Sequence, residues 1–204
     1  MRLGLTGGIS TGKNLISKYF IELGAYVIDY DEISRSVVEP GLPAWHDMVN
    51  YFGQEVLQKD GSIDRAKIGM IVFNNNKKLK KLESFTHPRI IAEAKKRENE
   101  IIKVNPGAVI IHNVPLLFET GMDKSFDITI AIHIDKKKQL DRLIKRDGMS
   151  KEEAMNRIKS HFSTAEKTQR ADYIIDNNGS MEETKQQVQE LYSKLYHLAV
   201  KNGD

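Results

Sequence analysis

Gly7-Gly8-Ile9-Ser10-Thr11-Gly12-Lys13 has the residue types and the spacing to hold a polyphosphate. The pattern G-x-x-x-x-G-K works through the backbone: glycines let successive N–H groups turn inward around phosphate oxygens. The N-terminus of a following helix adds favourable partial charge. Lys13 supplies a mobile cation able to reach the β- and γ-phosphates. Gly8, Ile9, Ser10, Thr11, Gly12 and Lys13, with Asn14 and Leu15 just beyond, are therefore the candidate nucleotide contacts. The other reading is a glycine-rich turn with no ligand, against which the lysine and the flanking elements count. One position departs from the pattern. A hydroxyl residue that would ligate Mg²⁺ normally follows the lysine, and here Asn14 stands in its place. An amide oxygen can ligate a hard cation, but on a longer, differently aimed side chain.

A second chemical feature is Asp29-Tyr30-Asp31. While the chain stays extended, residues two apart share a face. A carboxylate there can accept a proton from a hydroxyl or hold Mg²⁺ through water. Alternatively, one of the two acids caps a following helix.

These groups need a scaffold, and the apolar pattern supplies one. Five runs read as strands: Leu3 to Thr6, Tyr26 to Asp29, Val109 to His112, Ile128 to Ile134, and Tyr173 to Asp176. Several are nearly continuous in Val and Ile, as parallel strands covered on both faces are. Leu15, Ile16, Tyr19, Phe20 and Leu23 recur at helical spacing, and Gly24 supplies a stop. Leu79, Leu82, Ile90, Ile91 and Ala94 suggest helices interrupted by Pro88, while Val188, Leu191, Leu195 and Leu198 mark a last helix packed on the sheet. Alternation of strand and helix indicates an α/β doubly wound fold, whose ligand crevice lies at the carboxyl ends of the strands. Strands one and two are about 20 residues apart, and about 80 mostly helical residues then precede strand three, the stretch best read as an insertion.

Composition narrows the class. At about 150 residues per domain, 204 residues make roughly 1.4 domains, one core with sizeable insertions. The absence of Cys excludes a disulfide framework and thiolate chemistry. An apolar content of 40% fits a globular chain, and no apolar stretch approaches the roughly 18 residues of a membrane span. Met1-Arg2-Leu3-Gly4 lacks the plan of a signal peptide, so a cytoplasmic location is expected.

Taken together, these residues resemble the dephospho-CoA kinase family. The resemblance rests on Thr6-Gly7-Gly8-Ile9 with Gly12-Lys13, Ile28-Asp29-Tyr30-Asp31 with Arg35, and Val38-Glu39-Pro40-Gly41. It continues through Asp60-Gly61, Val72-Phe73, His87-Pro88 and Val114-Pro115-Leu116-Leu117-Phe118-Glu119. Arg142, Arg146-Asp147 and Ala171-Asp172-Tyr173-Ile174-Ile175-Asp176-Asn177 complete it.

The resemblance implies a P-loop kinase fold: a five-stranded parallel sheet with helices on both faces, a helical substrate-binding insertion and a lid. Its core would be about 1–30, 105–135 and 165–204, the CoA-binding insertion about 31–104 and the lid about 136–164. It implies phosphorylation of the ribose 3′-hydroxyl of dephospho-CoA by ATP with Mg²⁺, the final step of CoA synthesis. The family's general base falls on Asp31, and Lys13, Mg²⁺ and lid arginines would neutralise the transferring group. Arg142 and Arg146 lie four apart on one face of a predicted helix, with Arg157 in the next. Each of these is otherwise a solvated helix charge. Arg35 would anchor substrate or pair with Asp31, and His87 would belong to the substrate cleft. Leu116 and Phe118 would line the substrate wall or belong to ordinary core. Asn177, after the fifth strand, would contact the adenine, and Trp45 and Tyr51 belong to the core of the insertion.

Five positions depart from the usual family pattern: Ser10, Asn14, Tyr30, Asn113 (commonly Asp) and His161 (commonly Gln). Asn14 and Asn113 motivate a second reading, a homologue that binds nucleotide and CoA with weakened turnover. A third is a P-loop kinase for another small hydroxylated metabolite. The runs Lys77-Lys78, Lys80-Lys81 and Lys136-Lys137-Lys138 invite nucleic-acid binding, but such runs are usually solvated helix faces. No nucleic acid, membrane or obligate protein partner is expected. Six basic residues and one acid between Lys136 and Arg146 give a local +5 against +3 for the whole chain, pointing to ATP as the anion.

Overall fold

The computed structural model describes residues 1–73 and 75–201. The end of the expected core, 202–204, lies outside them. The order is β1 (Arg2–Thr6), α1 (Lys13–Glu22), β2 (Tyr26–Asp29), α2 (Tyr30–Ser36), α3 (Pro43–Phe52), α4 (Arg65–Phe73) and α5 (Asn76–Val104). Then come β3 (Ile110–Asn113), β4 (Ile128–His133), α6 (Lys136–Asp147), α7 (Lys151–Lys159), α8 (Thr164–Thr168), β5 (Tyr173–Asp176) and α9 (Met181–Lys201). Two compact units result, one of Met1–Asp29 with Ile101–Asp204 and the other of Tyr30–Glu100.

The first unit is a five-stranded, all-parallel sheet in the order β2-β3-β1-β4-β5. On one face Leu3, Leu5, Ile111, Ile130 and Ile132 meet Ile16 and Phe20 of α1 and Val188 and Leu195 of α9. Each such side chain contributes about 1.5–3 kcal/mol on full burial. The other face is closed by the segment after β3. A Cβ on Gly4 would lie 2.8 Å from Phe126 and 3.1 Å from Leu117, so any larger residue at this strand position would push that cover back.

The second unit is helical. Met48, Phe52, Val56, Ile63, Ile68 and Val72 form its core, with Trp45 packed against it and donating its indole N–H to the Gly61 carbonyl at 2.8 Å. Tyr51, expected in this core, is instead 46% exposed, edge-on to Phe52 and Phe85.

Pro88 does not interrupt a helix pair. It lies inside α5, a single helix of 29 residues. A mid-helix proline removes one N–H and crowds the preceding turn. Nearby, Thr86 Oγ1 donates to the Leu82 carbonyl at 3.0 Å, and the Arg89 guanidinium donates to Phe85 O at 2.6 Å. His87 accordingly sits on a continuous helix and not at a break. Among the described residues no helix is long and apolar enough to cross a membrane.

Candidate active site

β1 ends at Thr6 and α1 opens at Lys13, so residues 7–12 form the loop at the carboxyl end of the central strand. Gly12 holds φ +96°, and among the described residues Ser10 is the non-glycine with positive φ, 57°. That backbone turns the loop around its own amides. Thr11 Oγ1 donates to Gly8 O at 2.9 Å, and Lys13 Nζ donates to Gly7 O at 2.9 Å. No side chain caps α1, and its first turn holds no acid, so the helix terminus keeps its affinity for an anion.

Two buried amides brace the loop from beneath. Gln139 on α6 donates to Ile9 O at 2.8 Å. Asn177 donates to Thr11 O at 2.7 Å while its own carbonyl accepts from Thr184 Oγ1 at 3.1 Å. A side chain at Gly12 would collide with the Asn177 amide. The Asn177 side chain is buried and engaged at both ends, as a strut for the loop.

The helices α6, α7 and α8 carry further charged side chains. Arg142 donates to Asn177 O at 3.3 Å. Arg146 and Arg157 converge on Asp147, at 2.6 Å and 3.2 Å, and the Arg146 bonds hold that carboxyl below its ordinary value. Burial pushes the His161 pKa down; Glu119 opposes this, and Lys167, Lys13 and Arg157 reinforce it. His161 thus lies within electrostatic range of the loop lysine. Beneath it Lys167 has no exposure. Its ammonium donates to Pro115 O at 2.7 Å, to Glu119 at 2.8 Å and to Thr6 Oγ1 at 3.4 Å. Burial lowers its pKa while Glu119 opposes the shift. Glu119 also accepts from Phe162 N at 3.1 Å.

At the crevice edge, Asn113 of β3 donates to Asp29 Oδ2 at 2.8 Å, and its buried Oδ1 has no hydrogen-bond partner. Asn14 is exposed in the first turn of α1. Among the described residues no three His, Cys, Asp or Glu side chains cluster to cage a metal. That fits Mg²⁺ brought by a nucleotide, since this ion keeps waters and uses substrate phosphates more than protein cages. A buried carbonyl oxygen without a donor is what a water of such an ion would satisfy. Phe118 is buried in the core, while Leu116 is half-buried.

Asp29 is the last residue of β2 and Tyr30 the first of α2. The period-two argument for a shared face therefore stops at the strand's end, and Asp31 belongs to the helical unit. There Asp31 and Arg35 lie one helical turn apart, both exposed. Arg65, at the start of α4, donates to Ser34 Oγ at 3.2 Å. Burial and the Arg35 cation pull its pKa down, and Asp31 pulls it back, which puts all three in one electrostatic neighbourhood. Burial and Glu98 push the Tyr30 hydroxyl up to about 12, so it stays a donor at neutral pH.

A family model described as dephospho-CoA kinase matches residues 1–183. The chain belongs to the dephospho-CoA kinase family. A dephospho-CoA kinase of Carboxydothermus hydrogenoformans is 40% identical over 94% of this chain and 93% of its own. Among solved structures, a dephospho-CoA kinase from Campylobacter jejuni superposes with a TM-score of 0.71 at 29% identity, covering 96% of this chain and 97% of its own. A Thermus thermophilus protein reaches 0.80 at 25% identity, covering 96% and 97%. The five-stranded parallel sheet is the fold of these kinases.

Within this family member, the structure gathers Lys13, Arg142 and Asn177 about the loop, and Arg146 with Arg157 about Asp147. Asp31 and Arg35 lie in the helical unit, as does His87. Reasoning from sequence missed Gln139, Lys167 and Arg65, and gave Glu119 no role. Gln139 and Lys167 reach partners 130 and 48 residues away, so no local spacing announces them.

Proposed function

We propose that this protein transfers the γ-phosphoryl group of ATP to the ribose 3′-hydroxyl of dephospho-CoA, releasing ADP and CoA, the last step of CoA biosynthesis. The observation that carries the reading is the braced glycine loop with Lys13, in a chain matched by the dephospho-CoA kinase model over 1–183. Phosphoryl transfer asks for alignment and charge neutralisation more than for covalent chemistry. Loop amides 8–13 and the start of α1 hold the phosphates. Lys13 exchanges its bond to Gly7 O for a phosphate oxygen. Arg142, Arg146 and Arg157 meet the charge of the transferring group, the last two leaving Asp147 to do so. Residues 136–164 act as the lid. Asp31 takes the proton from the 3′-hydroxyl as the O–P bond forms and the bond to ADP breaks. Asn14, Asp29 and the Asn113 carbonyl oxygen would hold Mg²⁺ or its waters. When bound with ATP, the ion neutralises the β- and γ-phosphates. The proposed setting is the cytoplasm.

Asp31→Asn keeps the shape and removes the base. It is expected to lower kcat by about 10²- to 10⁴-fold, the usual contribution of a general base, with ATP binding by calorimetry unchanged. Undiminished turnover would refute the assignment.

A further inference from the structure

Lys167 and Glu119 take no part in the reaction proposed above, yet they form a charged pair with Lys167 unexposed and Glu119 nearly so. The Lys167 ammonium, on the short helix α8, is engaged by Pro115 O at 2.7 Å, Glu119 at 2.8 Å and Thr6 Oγ1 at 3.4 Å. Thr6 is the last residue of β1, from which residues 7–12 set out, and its hydroxyl also donates to Pro115 O at 3.1 Å. Pro115 lies two residues past the end of β3. The pair therefore grips the carboxyl ends of two strands at the root of the phosphate loop.

Glu119 has a second bond. It accepts the backbone N–H of Phe162 at 3.1 Å. Phe162 lies between α7, which ends at Lys159, and α8, which starts at Thr164. Two residues on, Thr164 Oγ1 donates to Ile134 O at 3.2 Å, a buried bond to the residue just past β4. Residues 136–159, with Arg142, Arg146 and Arg157, thus leave the sheet at Ile134 and return to it at Thr164. Glu119 ties that return to the same strand ends that launch the phosphate loop. His161, one residue before the joint, is within electrostatic range of both Lys13 and Arg157.

A buried ion pair adds little stability over apolar side chains of similar volume. Apolar side chains, however, cannot accept an N–H, so what distinguishes this pair is direction. Resting on the function proposed above, we infer that Glu119 is a positioning residue for phosphoryl transfer. It fixes the joint at Phe162 so that the arginines of 136–159 meet the phosphates held by the loop, and Lys167 fixes Glu119 against Thr6 and Pro115. A misplacement of about 1 Å away from the chemistry costs about 10²-fold in rate. The loop amides and Lys13 stay in place without the joint, so its loss falls on kcat and leaves ATP binding.

The test compares two double variants, neither of which leaves a buried charge unpaired. Lys167→Met/Glu119→Leu removes the acceptor for Phe162 N, and Lys167→Met/Glu119→Gln keeps one. Chemical denaturation establishes that both fold, and kcat at saturating substrates is read beside ATP affinity by calorimetry. The Leu variant is expected to lose about tenfold to a hundredfold in kcat, with ATP affinity within about twofold of wild type. The Gln variant is expected to stand about fivefold or more above it in kcat. Equal kcat in the two, or a loss of ATP affinity as large as the loss of kcat, overturns the inference. Hydrogen exchange on the wild type needs no variant: the Phe162 amide is expected to be protected about a hundredfold or more over a free chain, with and without ATP. Exchange at the free-chain rate in either state overturns the inference alone. No ADP release by wild type with ATP, Mg²⁺ and dephospho-CoA overturns the proposed function and this inference with it, even where that amide is protected.

Discussion

A lysine without exposure is unfavourable unless its charge is answered, and Lys167 is answered by Glu119, a carbonyl and a hydroxyl. Removing one partner leaves the other buried alone. Lys167→Met is therefore expected to destabilise by about 3–5 kcal/mol in chemical denaturation. The double variant Lys167→Met/Glu119→Gln, which keeps an acceptor for Phe162 N, should recover most of that loss. A single variant as stable as wild type would show the pair to be energetically idle. Asn14 is tested at the same scale. Asn14→Ser restores a hydroxyl and is expected to reduce the Mg²⁺ concentration needed for half-maximal rate. Equal rates at limiting Mg²⁺ would remove any significance from Asn14. The phosphate loop was legible because its residues are contiguous in sequence and lie between a strand and a helix. The Lys167 pair was not: Lys167 lies in α8 and its partners come from β1 and the loop after β3, so only the fold brings them together.

At the scale of elements, each expected strand overlaps an observed one, because Val- and Ile-rich runs bounded by turns leave few alternatives. The misreadings were of continuity. Pro88 resembled a break, yet α5 runs through it as a single helix. Asp31 resembled a strand residue, yet the helix begins one position earlier. Three starts carry the reciprocal serine–glutamate cap: Ser150 with Glu153, Ser163 with Glu166, and Ser180 with Glu183. These S-x-x-E patterns were available in the sequence. Ser180→Ala should cost about 1 kcal/mol of stability. Bonds from the serines hold all three glutamates below their ordinary 4.5. With folded values depressed, the unfolded chain binds more protons, so this stabilisation is complete above 4.5 and is lost as pH falls through the folded values. The thermal midpoint should therefore decline on acidification through that window. A midpoint that rises there would contradict the cap assignment.

For the molecule as a whole, the proposed reaction divides between two units. The first, built on the parallel sheet, carries the loop, its struts and the arginines. The second carries Asp31, Arg35 and Arg65. A net charge of +3 says little about this, whereas its concentration between Lys136 and Arg146 says more. The lysines of that segment are exposed on α6, while Arg142 turns to the Asn177 carbonyl behind the loop. The central claim is that one chain with these parts phosphorylates dephospho-CoA. The direct test is ADP release by the purified protein with ATP and Mg²⁺, across dephospho-CoA and a panel of other small hydroxylated acceptors, with the product identified by mass. The account predicts stoichiometric ADP and CoA with dephospho-CoA and no comparable release with the rest. Binding of both ATP and dephospho-CoA without ADP release, or faster turnover of another acceptor, would contradict it.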